Sequence, residues 1–123
     1  MNQQGSIRSG FMVVRANTPF GGGRNMIIVS ASFTAKPGMR DAIAEISRKA
    51  VELTRQEKGN ISYTLFKSSD DDVTMMYFEE WESLDDLRAH LKTDHIREAR
   101  EARKDMLDGP VRVRVFESKE VEL

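Results

Sequence analysis

Ile61 to Trp81, ISYTLFKSSDDDVTMMYFEEW, decides the fold. Ile61, Tyr63 and Leu65 alternate with Ser62, Thr64 and Phe66, as side chains do when a strand has two distinct faces. Ser68 to Asp72 is a polar turn, and Val73 to Trp81 is a second strand rich in β-formers. The two form a hairpin.

Working outward from the hairpin, a helix precedes it. Met39, Ile43, Ile46, Ala50 and Leu53 recur at spacings of four and three, with charged residues between them and Gly59 as a stop. Lys36-Pro37-Gly38 is a turn, and Met26 to Thr34 (MIIVSASFT) is a β-branched strand before it. On the other side, Ser83 caps a helix with Asp86 three positions on, and Leu84, Leu87 and Leu91 mark its buried face. Thr93 or Asp94 interrupts and re-caps it. A second helical stretch runs to about Met106 with Ile96, Ala99 and Met106 as apolar positions. Asp108-Gly109-Pro110 ends it, and Val111, Val113 and Val115 alternate in a last strand. The order β-α-β-β-α-β is the ferredoxin-like pattern of an α+β fold, with a four-stranded sheet and helices on one face.

The other face needs a cover. One set of strand residues, running through Ile27, Val29, Ala31, Phe33, Tyr63, Leu65, Met75, Tyr77, Val113 and Val115, is almost wholly apolar. The opposite set mixes hydroxyls, arginines and aromatics, among them Ser32, Thr64, Phe66, Met76, Phe78, Arg112 and Arg114. Large uncovered apolar patches are unusual in monomers, so one set faces the helices and the other a second copy in a two-fold homodimer. The alternative is a monomer whose N-terminal arm folds over the sheet. The mixed set has the composition of a pocket for a planar, partly polar ligand, unless its hydroxyls merely bond within the sheet.

The chain has 123 residues, enough for one ordinary domain. A formal net charge of −1 gives no electrostatic case for nucleic acid or a membrane surface. With no cysteine there is no thiolate nucleophile or cysteine-ligated metal, which fits a reducing cytoplasm. No apolar run approaches the roughly 20 residues of a membrane helix, and the N-terminus lacks the h-region of a signal peptide. Residues 1–25 hold Gly5, Gly10, Pro19 and Gly21-Gly22-Gly23 without periodicity, and read as an extension or linker before a domain at 26–123. They are either an over-extended start, since Met12 and Met26 can each begin a chain, or an arm that docks on a partner.

His90 and His95 are the only side chains with an unperturbed pKa near neutrality. On one continuous helix an i,i+5 pair lies about 140° apart, which does not make a metal pair. A break at Thr93 brings them closer. Each is equally a histidine buried and satisfied by hydrogen bonds. Trp81 reads as a packing anchor. Glu79 and Glu80 alternate across their strand and so form no carboxylate pair. Arg97 to Lys104 (REAREARK) interleaves both signs and reads as a solvated helix face. The Gly21–Gly23 run lacks the Lys-Ser/Thr of a phosphate loop.

Met26 to Gly38 (MIIVSASFTAKPG), Glu80 to Leu84 (EWESL) and His90 to Ile96 (HLKTDHI) resemble the antibiotic biosynthesis monooxygenase family, above all its bacterial quinol monooxygenases, over residues 26–118. The resemblance implies a dimeric α+β barrel with one pocket per subunit between sheet and helices. It implies oxidation of a small quinol-like or polyketide-like aromatic by O2 with no metal and no cofactor. In that scheme His90 or His95 is the base, Ser32 and Thr64 steady a ring oxygen, and Phe66, Met76 and Phe78 are apolar walls. Haem-degrading relatives use an Asn, a Trp and a His where this chain has Ser32, His90 and Arg100, so haem degradation is not expected. Asp108-Gly109-Pro110 also resembles related isomerases of a phosphorylated dione, for which Arg112 or Arg114 belongs at the pocket mouth. An isomerase of a small carbonyl compound and a non-catalytic dimeric binding protein are therefore the alternatives.

Overall fold

Three antiparallel strands pair first. In the computed structural model, which describes residues 25–123, β1 is Asn25–Thr34, β2 is Asn60–Lys67 and β3 is Thr74–Trp81. Strand β3 lies between the other two, with Ala31 opposite Tyr77 and Leu65 opposite Tyr77 from the other side. The hairpin turn is held by Asp71, whose Oδ1 accepts from the backbone N–H of Val73 and Thr74. The last strand, β4 (Arg112–Lys119), completes the order β2-β3-β1-β4. Residues Met26–Glu117 form one compact unit. The earlier residues and their expected role as extension or linker lie outside the described part, apart from Asn25.

The helices are α1 (Arg40–Thr54), α2 (Leu84–His90) and α3 (Asp94–Arg103), the last followed by a 3-10 turn at Lys104–Met106. Helix α2 begins as expected: Ser83 accepts from the Asp86 N–H at 3.1 Å and donates its hydroxyl to the Asp86 carboxylate. The buried stripe of α1 differs from the expected one. Ile43, Ser47, Ala50 and Thr54 face the sheet, whereas Met39, Ile46 and Leu53 lie more than a third exposed. The stripe turns because Ser47 is drawn inward: the buried Tyr77 hydroxyl donates to its Oγ at 3.1 Å. An apolar residue there would take the acceptor away from that buried O–H.

Alternation along the strands divides the sheet cleanly. Val29, Ala31, Phe33, Tyr63, Met75, Tyr77 and Trp81 are buried under the helices. Their neighbours Ser30, Ser32, Thr64, Met76 and Phe78 point the other way and are only partly buried, and Phe66 on that face is exposed. The far end of β1 is clipped to the chain leaving the 3-10 turn. Lys36 N–H donates to Met106 C=O and Asp108 N–H donates to Thr34 C=O, both at 2.8 Å. That clip sets where the chain turns towards β4. Strand β4 is exposed along nearly its whole length.

Candidate active site

The site begins where α1 runs out. Glu57 lies in the turn that follows, its N–H donating to Thr54 C=O and its C=O accepting from Asn60 N–H. Gly59 makes the reversal possible. Its φ is +81°, and a Cβ there would lie 2.0 Å from the Asp86 carboxylate, so a side chain is disfavoured twice. The reversal points the Glu57 carboxylate at the opposite pair of helices.

Those helices supply both histidines. Leu91 to Thr93 interrupt the helix: Thr93 N–H and the Thr93 hydroxyl both donate to His90 C=O, at 3.1 and 2.8 Å. Thr93 is extended at the N-cap of α3 but makes no side-chain cap, so its hydroxyl closes the end of α2 instead of re-capping the next helix. The break removes the angular separation of a continuous helix. His90 Nδ1 lies 3.0 Å from Glu57 Oε2 and His95 Nε2 lies 2.6 Å from the same oxygen. One carboxylate can accept from both when each ring is neutral and carries its proton on that nitrogen. His90 Nε2 is then left as a lone-pair acceptor.

His90 is the buried member, 2% exposed and packed between Trp81 and Tyr63 at ring-centre distances of 4.8 and 5.4 Å. Burial holds its pKa below the usual 6.5, against the opposing hydrogen bond and charge of Glu57. Burial thus disfavours the charged form of this imidazole. Glu57, His90 and His95 also have the chemistry of a metal-ligand set, with one donor atom each within 4.8 Å of the others.

A cavity of about 440 Å³ opens beside His90, between the sheet and the helices. Val29, Ala31, Tyr63, Tyr77 and Glu79 form its floor, and Leu87, Ile96, Arg100 and Arg103 its roof. The 108–111 turn and the valines of β4 border it. Glu79 is buried, and desolvation pushes its pKa up to about 7 although Trp81 Nε1–H donates to it at 3.0 Å.

This geometry corrects three expectations. Ser32, Thr64, Phe66, Met76 and Phe78 lie on the sheet face away from the cavity, because the helices cover the apolar set and the cavity forms beneath them. The hydroxyls of that face bond sideways, as when Ser62 donates to Glu80 at 2.8 Å. Arg112 and Arg114 are exposed on β4 and do not line the cavity. The REAREARK segment is not wholly solvated, since Arg100 and Arg103 reach the wall. Of the two histidines only His90 lines the cavity, with His95 behind it on Glu57. Sequence reasoning missed Glu57, Tyr63, Tyr77, Glu79 and Arg103. The strand alternation held the signal for Tyr63, Tyr77 and Glu79, all on the apolar face.

The model of the family described as antibiotic biosynthesis monooxygenase matches residues 26–102, more than half of the chain, and takes in the cavity wall from Val29 to Arg100 but not Arg103 or the residues after it. The chain belongs to that family. A Bacillus subtilis member of the curated proteins, "Putative monooxygenase YcnE", is 27% identical over 88 residues, covering 72% of this chain and 93% of that one. Among solved structures, Rv0793 from Mycobacterium tuberculosis is 30% identical with a TM-score of 0.68, covering 74% of this chain and 92% of its own. A Nitrosomonas europaea structure bearing the family's name reaches a TM-score of 0.73 at 23% identity, over 82% of this chain and 95% of that one, and supports the fold alone. The ferredoxin-like α+β architecture of this antibiotic biosynthesis monooxygenase family member is thus shared with solved structures.

Proposed function

We propose that this protein is a monooxygenase that oxidises a small quinol-like or polyketide-like aromatic with O2, using no metal and no organic cofactor. The observation that carries the reading is His90: a buried imidazole on the wall of an aromatic-lined cavity, with Nδ1 3.0 Å from the Glu57 carboxylate, which leaves Nε2 as the nitrogen assigned to accept the proton. That is the arrangement of a general base with its orienting carboxylate.

The chemistry balances with O2 as the only oxidant. His90 Nε2 takes a proton from an electron-rich phenol or anthrone. The resulting anion passes one electron to O2, and radical and superoxide combine as a carbon-bound peroxide. A proton returned from His90 completes the hydroperoxide, whose O–O bond breaks with loss of water and leaves a new carbonyl. For a methylene substrate the sum is CH2 plus O2 giving C=O plus H2O. The protein's part is to remove water, hold the ring and move the proton. His95 and Glu57 are positioning residues in this scheme.

The polar sheet face, freed from the pocket role, is assigned to a second copy, so that Phe66, Met76 and Phe78 pack across a two-fold axis in a homodimer. Residues 26–123 are the working domain, with residues 1–25 an extension, and the compartment is the cytoplasm. Turnover of an anthrone under ¹⁸O2 tests the reaction. The expected product carries one labelled oxygen at the new carbonyl, with one O2 consumed per substrate. Product without label, or none beyond the uncatalysed background, would overturn it.

A further inference from the structure

Arg103 is a buried charge with no opposite charge beside it among the described residues. It closes α3, is 9% exposed and lines the cavity. Its Nη1 donates to the Tyr77 hydroxyl at 3.3 Å, and its guanidinium lies 5.9 and 5.4 Å from the ring centres of Phe33 and Tyr77. All three contacts are neutral. Among the described residues no carboxylate comes within ion-pair distance of it.

Four exposed cations illustrate the usual arrangement. Arg48, Arg88, Arg97 and Lys104 are all exposed, and each has an acidic partner three residues away. Exposed pairs of that kind contribute little to stability. A buried guanidinium without a counter-charge loses hydration and gains too little in return. Glu79 is the one acidic side chain on the cavity wall among the described residues. It is out of ion-pair range, takes the Trp81 N–H, and is held back from ionising by its burial. Arg100 adds a second cation at the rim of the same wall. Arg103 is therefore left without an anion beside it among the described residues.

The position of Arg103 says where on a ligand that anion belongs. His90 touches Tyr63, Tyr63 touches Tyr77, and Tyr77 touches Arg103, so two tyrosine rings separate the proposed base from the cation. We propose that the cavity binds an aromatic acid, its ring along Tyr63 and Tyr77, its carboxylate paired with Arg103, and its other end towards His90. A planar fork of N–H donors matches a carboxylate, and the low-polarity walls strengthen the pair. The inference rests on the cavity being the substrate site, as argued above, but not on the reaction that follows.

Titration calorimetry of the full chain with 6-hydroxy-2-naphthoate, its methyl ester and 2-naphthol tests it, since none of these probes has to react. The acid is expected to bind at least about tenfold more tightly than the other two, the scale of a desolvated charge pair. Arg103→Met should bring the acid down to the level of the ester and leave the ester unchanged, and Arg103→Lys should retain part of the preference. If the Met variant fails to fold, the wild-type comparison still decides. Alongside it, the ¹⁵N–¹H resonance of the Arg103 Nε–H should move with the acid and stay with the ester. Equal binding of acid and ester, a preference that survives Arg103→Met, or an unmoved Arg103 resonance overturns the proposal. Acid preference in a protein that consumes no O2 with any quinol would keep the carboxylate subsite and remove the monooxygenase reading. His90-dependent uptake without acid preference would do the reverse.

Discussion

In the proposed mechanism Glu57 selects which nitrogen of His90 carries the proton. A carboxylate only accepts, so in the proposed mechanism it favours Nδ1–H and leaves Nε2 to act as the base. Glu57→Gln can present its NH2 to the same nitrogen and admit the other tautomer. The variant should lose about 10- to 100-fold in kcat while KM changes little, because the group touches His90 and not the ligand. The acid limb of the pH–rate profile carries a second signature. Burial already holds the His90 pKa below 6.5, and Glu57 is the main group opposing that. Wild-type activity should persist below the usual imidazole range, and the limb should move further down in Glu57→Gln. A wild-type limb above pH 6.5 would remove His90 from the role.

Glu79 makes the opposite prediction for stability. Its carboxyl is protonated more readily in the folded chain, with a pKa pushed up from 4.5 to about 7 by burial. The folded state then binds more protons than the unfolded one between those values. Its stabilising contribution is whole below pH 4.5 and is lost as pH rises through 7. Glu79→Gln keeps an oxygen for the Trp81 N–H and cannot ionise. Urea titrations should show wild type losing stability relative to this variant as pH rises from 4.5 to 7.5, and parallel curves would contradict the assignment.

At the scale of elements, the site depends on two interruptions. The break between α2 and α3 brings His90 and His95 onto one carboxylate, and the turn after α1 delivers that carboxylate. Gly59→Ala tests the second. It forces a positive φ on a residue with a Cβ and drives that atom into Asp86, at a cost of about 1–3 kcal/mol. Urea unfolding should show that loss, together with reduced turnover, because Asp86 anchors the start of α2 while Glu57 sits two residues before the glycine. A variant with unchanged stability would mean that the turn relaxes freely.

The hairpin and its flanking helices were legible because strand and helix periodicities differ so plainly between 61–81 and 39–53. The histidines stood out as the only near-neutral titrating side chains. Glu57 did not, being one of 20 acidic residues and lying in a turn without periodicity. Arg103 was hidden by the alternating signs of REAREARK, which look the same whether or not one residue turns inward. The described cavity lies on the face opposite the expected one, and both faces carry aromatics, Tyr63 and Tyr77 on one and Phe66 and Phe78 on the other. Only the packing of α1 through Ser47 and Thr54 decides between them.

At the scale of the whole molecule, helices cover one face of the sheet, and the other retains Phe66 at 48% exposure with Met76 and Phe78 beside it. Phe116 of β4, which alternates with the cavity-bordering Val113 and Val115, is also exposed. Apolar side chains gathered in this way are the surface a second copy would bury. Light scattering on a size-exclusion column should give a dimer mass for the wild type, and Phe66→Asp should shift it towards the monomer at micromolar concentration. A monomeric wild type would contradict the dimer.

The most direct test of the central claim is oxygen uptake with a panel of reduced quinols and anthrones, corrected for autoxidation, in wild type, His90→Ala and His95→Ala. The account predicts uptake well above background that falls about 10²- to 10⁴-fold in His90→Ala, the range of a lost general base, and less in His95→Ala. Uptake that is indifferent to His90, or absent across the panel, would contradict it.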